Sequence, residues 1–382
     1  MIYADYNGSS QLNPDVKEHL LKRINNGPFA NPNAIHSIGK KINLSLAKCR
    51  ELTAKVLGSK HFQVVFNSGA SEGISNIFYS CLKNLNRKTI VISSIEHSAV
   101  INVAKHYQDQ GYNLEVVPVD TDGVIDLAKL KDILVSNIND VAIVSIMAAN
   151  NETGVIQPYK EIGKLCSEFH TPFFSDTTQF IGKADFNFEE SEMDFAVFSS
   201  HKIGGIIGSG AMLIKDISIF QPIIFGGGQE RGLRGGTQNY IGIETIAIAL
   251  SSFEAHKYKL NECLERRMNF ERELKKLYPN IVIIGENVDR LASTTLVAYP
   301  GIHGQAVQIE LESDDIFVTT SSACSDNEPN TSKVLEAMKI DDNIGRSVVR
   351  ISLCLGQDPN YYQKIVKSLD RAYKKLSKLK SY

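Results

Sequence analysis

Two spacings that would indicate a metal or redox site are missing from this sequence. Its six cysteines form no Cys-x-x-Cys pair, and its nine histidines show no His-x-x-x-His spacing. Structural zinc sites and redox pairs are built on such spacings, so we expect no metal site. In a chain of 382 residues, scattered cysteines indicate reduced thiols rather than a disulfide framework.

An excess of one charge and long hydrophobic runs are also lacking. Lys and Arg number 41 and Asp and Glu number 43, a net charge of −2, which excludes a uniformly basic surface for nucleic acid, so we do not expect direct nucleic-acid contact. No apolar run approaches the roughly 18 residues of a membrane span. The first residues show no basic segment followed by an apolar one, so we expect no signal peptide, no membrane and a cytoplasmic location.

Short β-rich apolar runs alternate with helical patterns from about Val64 to Ile214. Most of these runs do not alternate with polar residues, which is typical of strands buried on both faces of a parallel sheet. Asp126 stands where an N-cap would begin a helix. After about Ser251 a long charged helical pattern is followed by shorter strand-like pieces. The sequence therefore predicts an α/β fold with a second, smaller α+β domain.

Three short segments carry residues suited to chemistry. Lys202 follows an apolar run, where open α/β sheets place ligands, and is either a solvated lysine or an amine that attacks a carbonyl. Asp176 ends another run and is either a helix cap or the partner of a protonated pyridine nitrogen. Residues 67–73 are either a simple turn or a helix N-terminus that cradles an anion. Together they would supply the three requirements of pyridoxal 5′-phosphate (PLP).

On these residues the chain resembles the cysteine desulfurases of the class V aminotransferase group, which are fold-type I PLP-dependent transferases. The resemblance runs over nearly the whole chain. The matching segments are Asp5-Tyr6, Asn31-Pro32 with His36, Ser68 to Glu72, Glu96-His97, Asn150 to Gly154, Asp176 to Gln179, Ser199 to Lys202, Gly226 to Arg234, Gly236-Thr237, Ser321 to Cys324, and Arg350.

The resemblance implies a large PLP-binding domain of residues 14–255 around a mostly parallel seven-stranded sheet. Residues 1–13 and 256–382 would form the small domain that carries the loop with the catalytic cysteine. Lys202 would hold the cofactor and move the substrate's Cα proton. His97 would stack on the pyridine ring and assist proton transfer, while Asp176 would pair with the ring nitrogen.

The remaining cofactor and substrate contacts are also implied by the resemblance. Gln179 would bond the ring oxygen, and Thr237 would reach the phosphate from the other subunit, which implies a homodimer. Asn151 and Arg350 would hold the carboxylate of L-cysteine, since the planar fork of arginine matches a carboxylate. The residues expected to hold the phosphate within one chain are Ala70, Ser71, Ser199 and His201.

Cys324 lies in a small, polar, proline-containing stretch that predicts a mobile loop. A lone cysteine is more often a buried hydrophobe, which suits Cys81 and Cys49 better than Cys324. The resemblance, to the longer-loop branch, implies that Cys324 takes the substrate sulfur as a persulfide and passes it to an acceptor protein, while L-alanine leaves. For Cys354 packing is the expected role.

Several alternatives stay open at this point. The sulfur could supply iron–sulfur clusters, tRNA thiolation or DNA phosphorothioation. The sequence ends at Tyr382, without the tail that iron–sulfur relatives use to dock their scaffold. A sulfur donor dedicated to tRNA thiolation or DNA phosphorothioation is therefore among the expected functions. The chain could also be a selenocysteine lyase or another class V PLP enzyme, or a non-catalytic assembly subunit.

Overall fold

Helices and strands alternate along the chain, and the computed structural model describes residues 1–320 and 331–379. The elements up to residue 214 are β1 (Ile2–Tyr3), α1 (Pro14–Asn26), α2 (Ser37–Val56), β2 (Val64–Asn67), α3 (Ala70–Asn84), β3 (Thr89–Ser93), α4 (Ser98–Gln108), β4 (Asn113–Val117), α5 (Leu127–Ser136), β5 (Val141–Ser145), α6 (Tyr159–Glu168), β6 (Phe173–Asp176), β7 (Phe195–Ser199) and β8 (Gly210–Ile214). The later elements are α7 (Tyr240–His256), α8 (Leu260–Leu277), β9 (Val282–Ile283), β10 (Thr294–Ala298), α9 (Gly304–Glu312), β11 (Ile316–Phe317), α10 (Lys333–Ala337), α11 (Asp342–Gly345), β12 (Val348–Ser352) and α12 (Tyr361–Leu379).

The main sheet has seven strands in the order β2-β8-β7-β6-β5-β3-β4. β8 pairs antiparallel with both of its neighbours, and every other pair is parallel. The prediction of a mostly parallel seven-stranded sheet within an α/β fold is therefore confirmed. Because β2, β3, β5, β6 and β7 run in the same direction, their carboxyl ends meet at one edge, where open α/β sheets bind ligands.

Burial explains why these strands read as unbroken apolar runs. Every residue of β3, β5 and β8 is buried, because helices cover both faces of the sheet. β4 lies at the end of the sheet, and four of its five residues are exposed or half-buried. The predicted N-cap is confirmed as well, since the Asp126 side chain accepts a hydrogen bond from the Lys129 N–H at 2.9 Å.

The first residues of the chain and much of its last third build a separate hydrophobic core. The antiparallel sheet β12-β10-β9 and the parallel pair β1-β11 pack with α8, α9 and α12. Ile2 and Ala4, at the start of the chain, are buried in this core together with Phe270 and Val349. The strand pair β1-β11 thus attaches the first residues to the last third of the chain. The domain limits at residues 13/14 and 255/256 stay a prediction.

Within residues 1–320 and 331–379, no helix combines the length and the apolar character that crossing a bilayer requires.

Candidate active site

Four of the predicted segments meet at the carboxyl edge of the main sheet. β7 leads into a short 3₁₀ turn, Ser200–Lys202, and the neighbouring β6 ends at Asp176, which pairs in register with Val197. β3 leads to His97, the N-cap of α4. β2 leads to Gly69, the residue before α3. The fold therefore collects residues that are far apart in the sequence along one edge.

The Lys202 amine is held by the N-terminal segment of the chain. Its Nζ donates hydrogen bonds to the carbonyl oxygens of Asn7 at 2.8 Å and Gly8 at 2.5 Å. Ser10 fixes the same turn, because its Oγ donates to the Lys202 carbonyl and its N–H donates to the His201 carbonyl. Lys202 also lines a cavity of 170 Å³, together with Lys183 and other residues. Residues 7–10 thus form one wall around the amine.

Asp176 ends β6, the strand next to the one that leads to Lys202, and Gln179 follows three residues later. Asp176 is buried, and its Oδ1 accepts the Thr178 N–H at 2.9 Å, whereas its Oδ2 accepts no hydrogen bond from any residue described. Gln179 Nε2 donates to the Asn7 carbonyl at 2.9 Å, the same oxygen that Lys202 uses. A buried carboxylate with an uncommitted oxygen, at the same sheet edge as Lys202, suits a protonated pyridine nitrogen.

The start of α3 forms a cradle that fits the phosphate of PLP. The Ala70 N–H donates to Ser199 Oγ at 2.8 Å, and the N–H groups of Ser71 and Glu72 donate to no acceptor in the described part of the chain. Gly69 has φ +150°, and a Cβ there would lie 3.3 Å from Ser199 Oγ. Open N–H groups at a helix N-terminus attract an anion. Together with Lys202 and Asp176, this donor set fits PLP.

His201 contributes a neutral donor or acceptor beside the cradle. Its Nδ1 lies 3.0 Å from Ser9 Oγ. Burial lowers the pKa of the imidazole, and the positive charges of Lys202 and Lys183 lower it further. The ring is therefore uncharged at neutral pH.

His97 is exposed, and its Nδ1 accepts the Ala99 N–H at 3.1 Å. This bond requires an unprotonated Nδ1, so the neutral ring carries its proton on Nε2. Nε2 is thus the nitrogen that can donate a proton in the site.

The neighbouring Glu96 is a buried carboxyl that sequence reasoning did not single out. Its Oε1 accepts hydrogen bonds from Ser93 Oγ at 2.5 Å and from the Met147 N–H at 2.8 Å, and its buried Oε2 has no partner among the residues described. Burial raises the pKa of Glu96 to about 8, and the negative charge of Asp176 adds to this effect. Glu96 is therefore largely protonated at neutral pH.

We expect Glu96→Gln to remove part of the pH dependence of stability. Because the pKa of Glu96 is raised in the folded protein, stability is full at low pH and declines as pH rises from about 4.5 to about 8. Glutamine does not ionise, so at pH 8 the variant should exceed the wild type by on the order of 3 kcal/mol. Urea unfolding at pH 5 and pH 8 measures this. Parallel curves for the two proteins would contradict the assignment.

Arg350 lies at the other end of the site, buried on β12. Its Nη1 donates to the Asn151 carbonyl at 2.8 Å, and its Nη2 forms a 2.6 Å ion pair with Asp5 Oδ1. Asn7 Nδ2 donates to the same Asn151 carbonyl at 3.2 Å. Hydrogen bonds therefore run from Lys202 through Asn7 and Asn151 to Arg350, so an amine and a guanidinium sit in one connected site.

Cys324 lies outside the described residues, but the chain on both sides of it is anchored beside Arg350. The Arg350 N–H donates to the Thr319 carbonyl at 2.7 Å, shortly before the segment that contains Cys324. After that segment, Ser332 Oγ donates to Glu152 Oε2 at 2.5 Å, next to Asn151. The described residues before and after this segment therefore bond to Arg350 and to Glu152, the neighbour of Asn151.

Thr237 is the predicted site residue that this chain does not bring to the site. It is exposed and shares no hydrogen bond with the other site residues described. The sequence alone predicts no role for Asn7, Lys183, Asp5 or Glu96. Asp5 and Glu96 stood within matching motifs, whereas Asn7 and Lys183 gave no signal beyond their closeness to such motifs.

The cysteines other than Cys324 and the potential metal-binding side chains form no second reactive or metal site in residues 1–320 and 331–379. Cys49, Cys81 and Cys166 are buried, whereas Cys263 and Cys354 are half-buried. Burial raises the pKa of Cys354, which disfavours a thiolate there. Across residues 1–320 and 331–379, no group of three or more His, Cys, Asp or Glu side chains is arranged to hold a metal ion.

The chain is similar to known proteins over nearly its whole length. The model of the family described as aminotransferase class-V matches residues 2–360. A cysteine desulfurase of Nostoc sp. is 32% identical over 356 residues, covering 93% of this chain and 88% of the relative. A solved NifS-like protein superposes with a TM-score of 0.90 at 32% identity, covering 98% and 100% of the two chains.

A second solved structure, described as SspA in complex with cysteine, has a TM-score of 0.81 at 26% identity and covers 94% of this chain and all of that one. The family model spans nearly the whole chain, and the curated relative exceeds 30% identity over most of both lengths. The chain therefore belongs to the cysteine desulfurases of the class V aminotransferase family, which are PLP-dependent enzymes.

Proposed function

We propose that this enzyme takes sulfur from L-cysteine with Lys202 as the proton-moving amine, Arg350 as the carboxylate anchor and Cys324 as the sulfur acceptor. The observation that carries the proposal is the hydrogen-bonded path from Lys202 through Asn7 and Asn151 to Arg350. It connects the Lys202 amine and the Arg350 guanidinium in one site, which supports their proposed roles toward the cofactor and the substrate carboxylate. The related SspA structure, described as a complex with cysteine, supports the choice of substrate.

PLP would be held by Lys202, Asp176 and Gln179 at its ring and by the start of α3 at its phosphate. When bound, it supplies an electron sink for negative charge at the substrate Cα. Asp176 would keep the ring nitrogen protonated, which strengthens that sink. Ser199, His201 and the open N–H groups of Ser71 and Glu72 would bind the phosphate.

The chain's own residues then divide the chemistry. Lys202 would remove the Cα proton, and the Nε2–H of His97 would return a proton as the product forms. The Cys324 thiolate would attack the substrate sulfur, so that an S–S bond forms and the Cβ–S bond breaks, with the electron pair staying on the carbon skeleton. One thiol plus L-cysteine thus gives one persulfide plus L-alanine, and atoms and electrons balance.

We expect Arg350→Gln to raise the KM for L-cysteine by ten- to a hundredfold, because a charged hydrogen bond to a carboxylate contributes about 1.5–3 kcal/mol. Bound PLP should keep its absorbance, since Arg350 is assigned to the substrate. Arg346→Gln is the matched control, because Arg346 is exposed and pairs with Asp342. Initial-rate kinetics of alanine release measure both. An unchanged KM in the Arg350 variant would contradict the assignment.

The enzyme is proposed to act as a homodimer in the cytoplasm, with Thr237 reaching the partner's phosphate site. Large apolar side chains exposed on and between α1 and α2 support a partner there, and they include Leu21, Ile24, Ile35 and Leu44. Sedimentation velocity tests this proposal, since a monomer at micromolar concentration would leave the phosphate site without Thr237.

The sulfur acceptor is proposed to be a protein that takes sulfur from the Cys324 persulfide. That sulfur would supply iron–sulfur clusters, tRNA thiolation or DNA phosphorothioation. Capture with protein loaded with radiolabelled sulfur distinguishes these uses, because the label moves to the acceptor's cysteine. Selenocysteine lyase activity is the second candidate, and Cys324→Ser separates it as described in the Discussion.

A further inference from the structure

A second amine, Lys183, lies beside Lys202 in the site. Its Nζ donates hydrogen bonds to Gln179 Oε1 at 2.5 Å and to Asn7 Oδ1 at 2.9 Å. It is half-buried and lines the same 170 Å³ cavity as Lys202. Lysines are usually solvated, so an amine that points its donors at two site amides instead of water calls for an explanation.

The two bonds decide which way the amides of Gln179 and Asn7 face. In both contacts the amine donates to the amide oxygen, Oε1 of Gln179 and Oδ1 of Asn7. Gln179 therefore turns Nε2 toward the Asn7 carbonyl, at 2.9 Å. Asn7 likewise turns Nδ2 toward the Asn151 carbonyl, at 3.2 Å. One amine thus orients the Gln179 amide, which shares the Asn7 carbonyl with Lys202, and the Asn7 amide, which reaches the Arg350 end of the site through Asn151.

The charges around Lys183 belong to the same site. Burial lowers the pKa of Lys183 well below its ordinary value, the positive charges of Lys202 and Arg350 lower it further, and Asp5 opposes them. Lys183 in turn lowers the pKa of His201. Electrostatic coupling therefore reaches from Lys183 to both the cofactor end and the substrate end.

We propose that Lys183 is a positioning residue for desulfuration, which fixes the Gln179 amide so that its N–H group faces the ring oxygen of PLP. The proposal rests on the roles proposed above for Lys202 and Gln179. Without the Lys183 donor, the Gln179 amide can turn over and present its oxygen to the ring oxygen. The expected consequence is weaker PLP binding and slower turnover, with little change in the KM for L-cysteine.

The test compares apoprotein variants titrated with PLP. Lys183→Met removes the donors and should raise the Kd for PLP about tenfold, which corresponds to about 1.4 kcal/mol. It should also shift the absorbance maximum of bound PLP. Lys183→Gln keeps an N–H donor and should recover part of the affinity. Lys164→Met, on the exposed face of α6, is the matched control and should match the wild type. Thermal unfolding of each apoprotein shows that it is folded.

A double-mutant cycle with Gln179→Leu shows whether Lys183 acts through Gln179. In the Gln179→Leu background, Lys183→Met should change the Kd for PLP less than twofold. Full additivity, or a Lys183→Met protein with wild-type Kd and absorbance, would overturn the proposal. Failure of the underlying site assignment looks different, because Lys202→Ala would then keep the absorbance of bound PLP.

Discussion

Lys202→Ala will lose the visible absorbance of bound PLP, and its release of alanine from L-cysteine will fall by roughly a thousandfold or more. The amine follows the carboxyl end of β7, where it would attach the cofactor covalently, whereas the nearby Lys183 amine is bound to the Gln179 and Asn7 amides. Removing Lys202 also takes its donor from the Gly8 carbonyl, while the Asn7 carbonyl keeps the hydrogen bond from Gln179 Nε2. Absorbance spectra and an alanine assay on purified protein measure both losses.

Two variants show which property of the lysine matters. Lys202→Arg keeps a positive charge but cannot lose its proton near neutral pH, so it should be as inactive as the alanine variant. Lys215→Ala removes an exposed lysine that follows β8 at the opposite edge of the sheet, and it should retain full activity. If Lys202→Arg kept more than about a tenth of the wild-type rate of alanine release, the assignment of proton transfer to Lys202 would be wrong.

Cys324→Ser should reduce alanine and sulfide release from L-cysteine by at least about a hundredfold, because a serine hydroxyl is not ionised at neutral pH and cannot replace a thiolate nucleophile. PLP binding should be unchanged, since Lys202 and Asp176 remain. The described residues on either side of the Cys324 segment, Thr319 and Ser332, hydrogen-bond to Arg350 and Glu152.

Cys354→Ser is the matched control and should keep its activity, since Cys354 is half-buried and burial raises the pKa of its thiol. Undiminished alanine release by Cys324→Ser would refute the nucleophile assignment. Should that variant lose activity on L-cysteine yet keep full turnover of selenocysteine, the chain would act as a selenocysteine lyase, which does not need this thiol for its own substrate.

The sheet could be predicted because its strands are buried on both faces, so each gives a short unbroken apolar run. The apolar run from Leu114 also predicted β4, although at the edge of the sheet Glu115 is half-buried and Val116 exposed. α1 and α2 were not predicted, although α1 shows an N-cap at Asn13 and proline at its first position. His36, which lies in one of the matching segments, is the N-cap of α2, but that match gave no helix limits.

Site residues within family motifs could be named from the sequence, whereas their supporting contacts could not. Asn7 binds Lys202, Gln179, Lys183 and Asn151, and all of these lie more than a hundred residues away. No spacing along the chain reports a contact of that range. Lys183 looks like an ordinary surface lysine until the fold turns its amine toward two amide oxygens.

The order of synthesis gives the N-terminal strand an unusual place in assembly. β1 needs β11 as its neighbour, and Asp5 pairs with Arg350, which is 345 residues further along the chain. The first residues therefore leave the ribosome long before the residues they pair with, near 316 and 350, have been synthesised. The carbonyls of Asn7 and Gly8 accept the hydrogen bonds of the Lys202 amine. The active site should therefore form late in folding, after the final third of the chain has been synthesised and β1 has paired with β11.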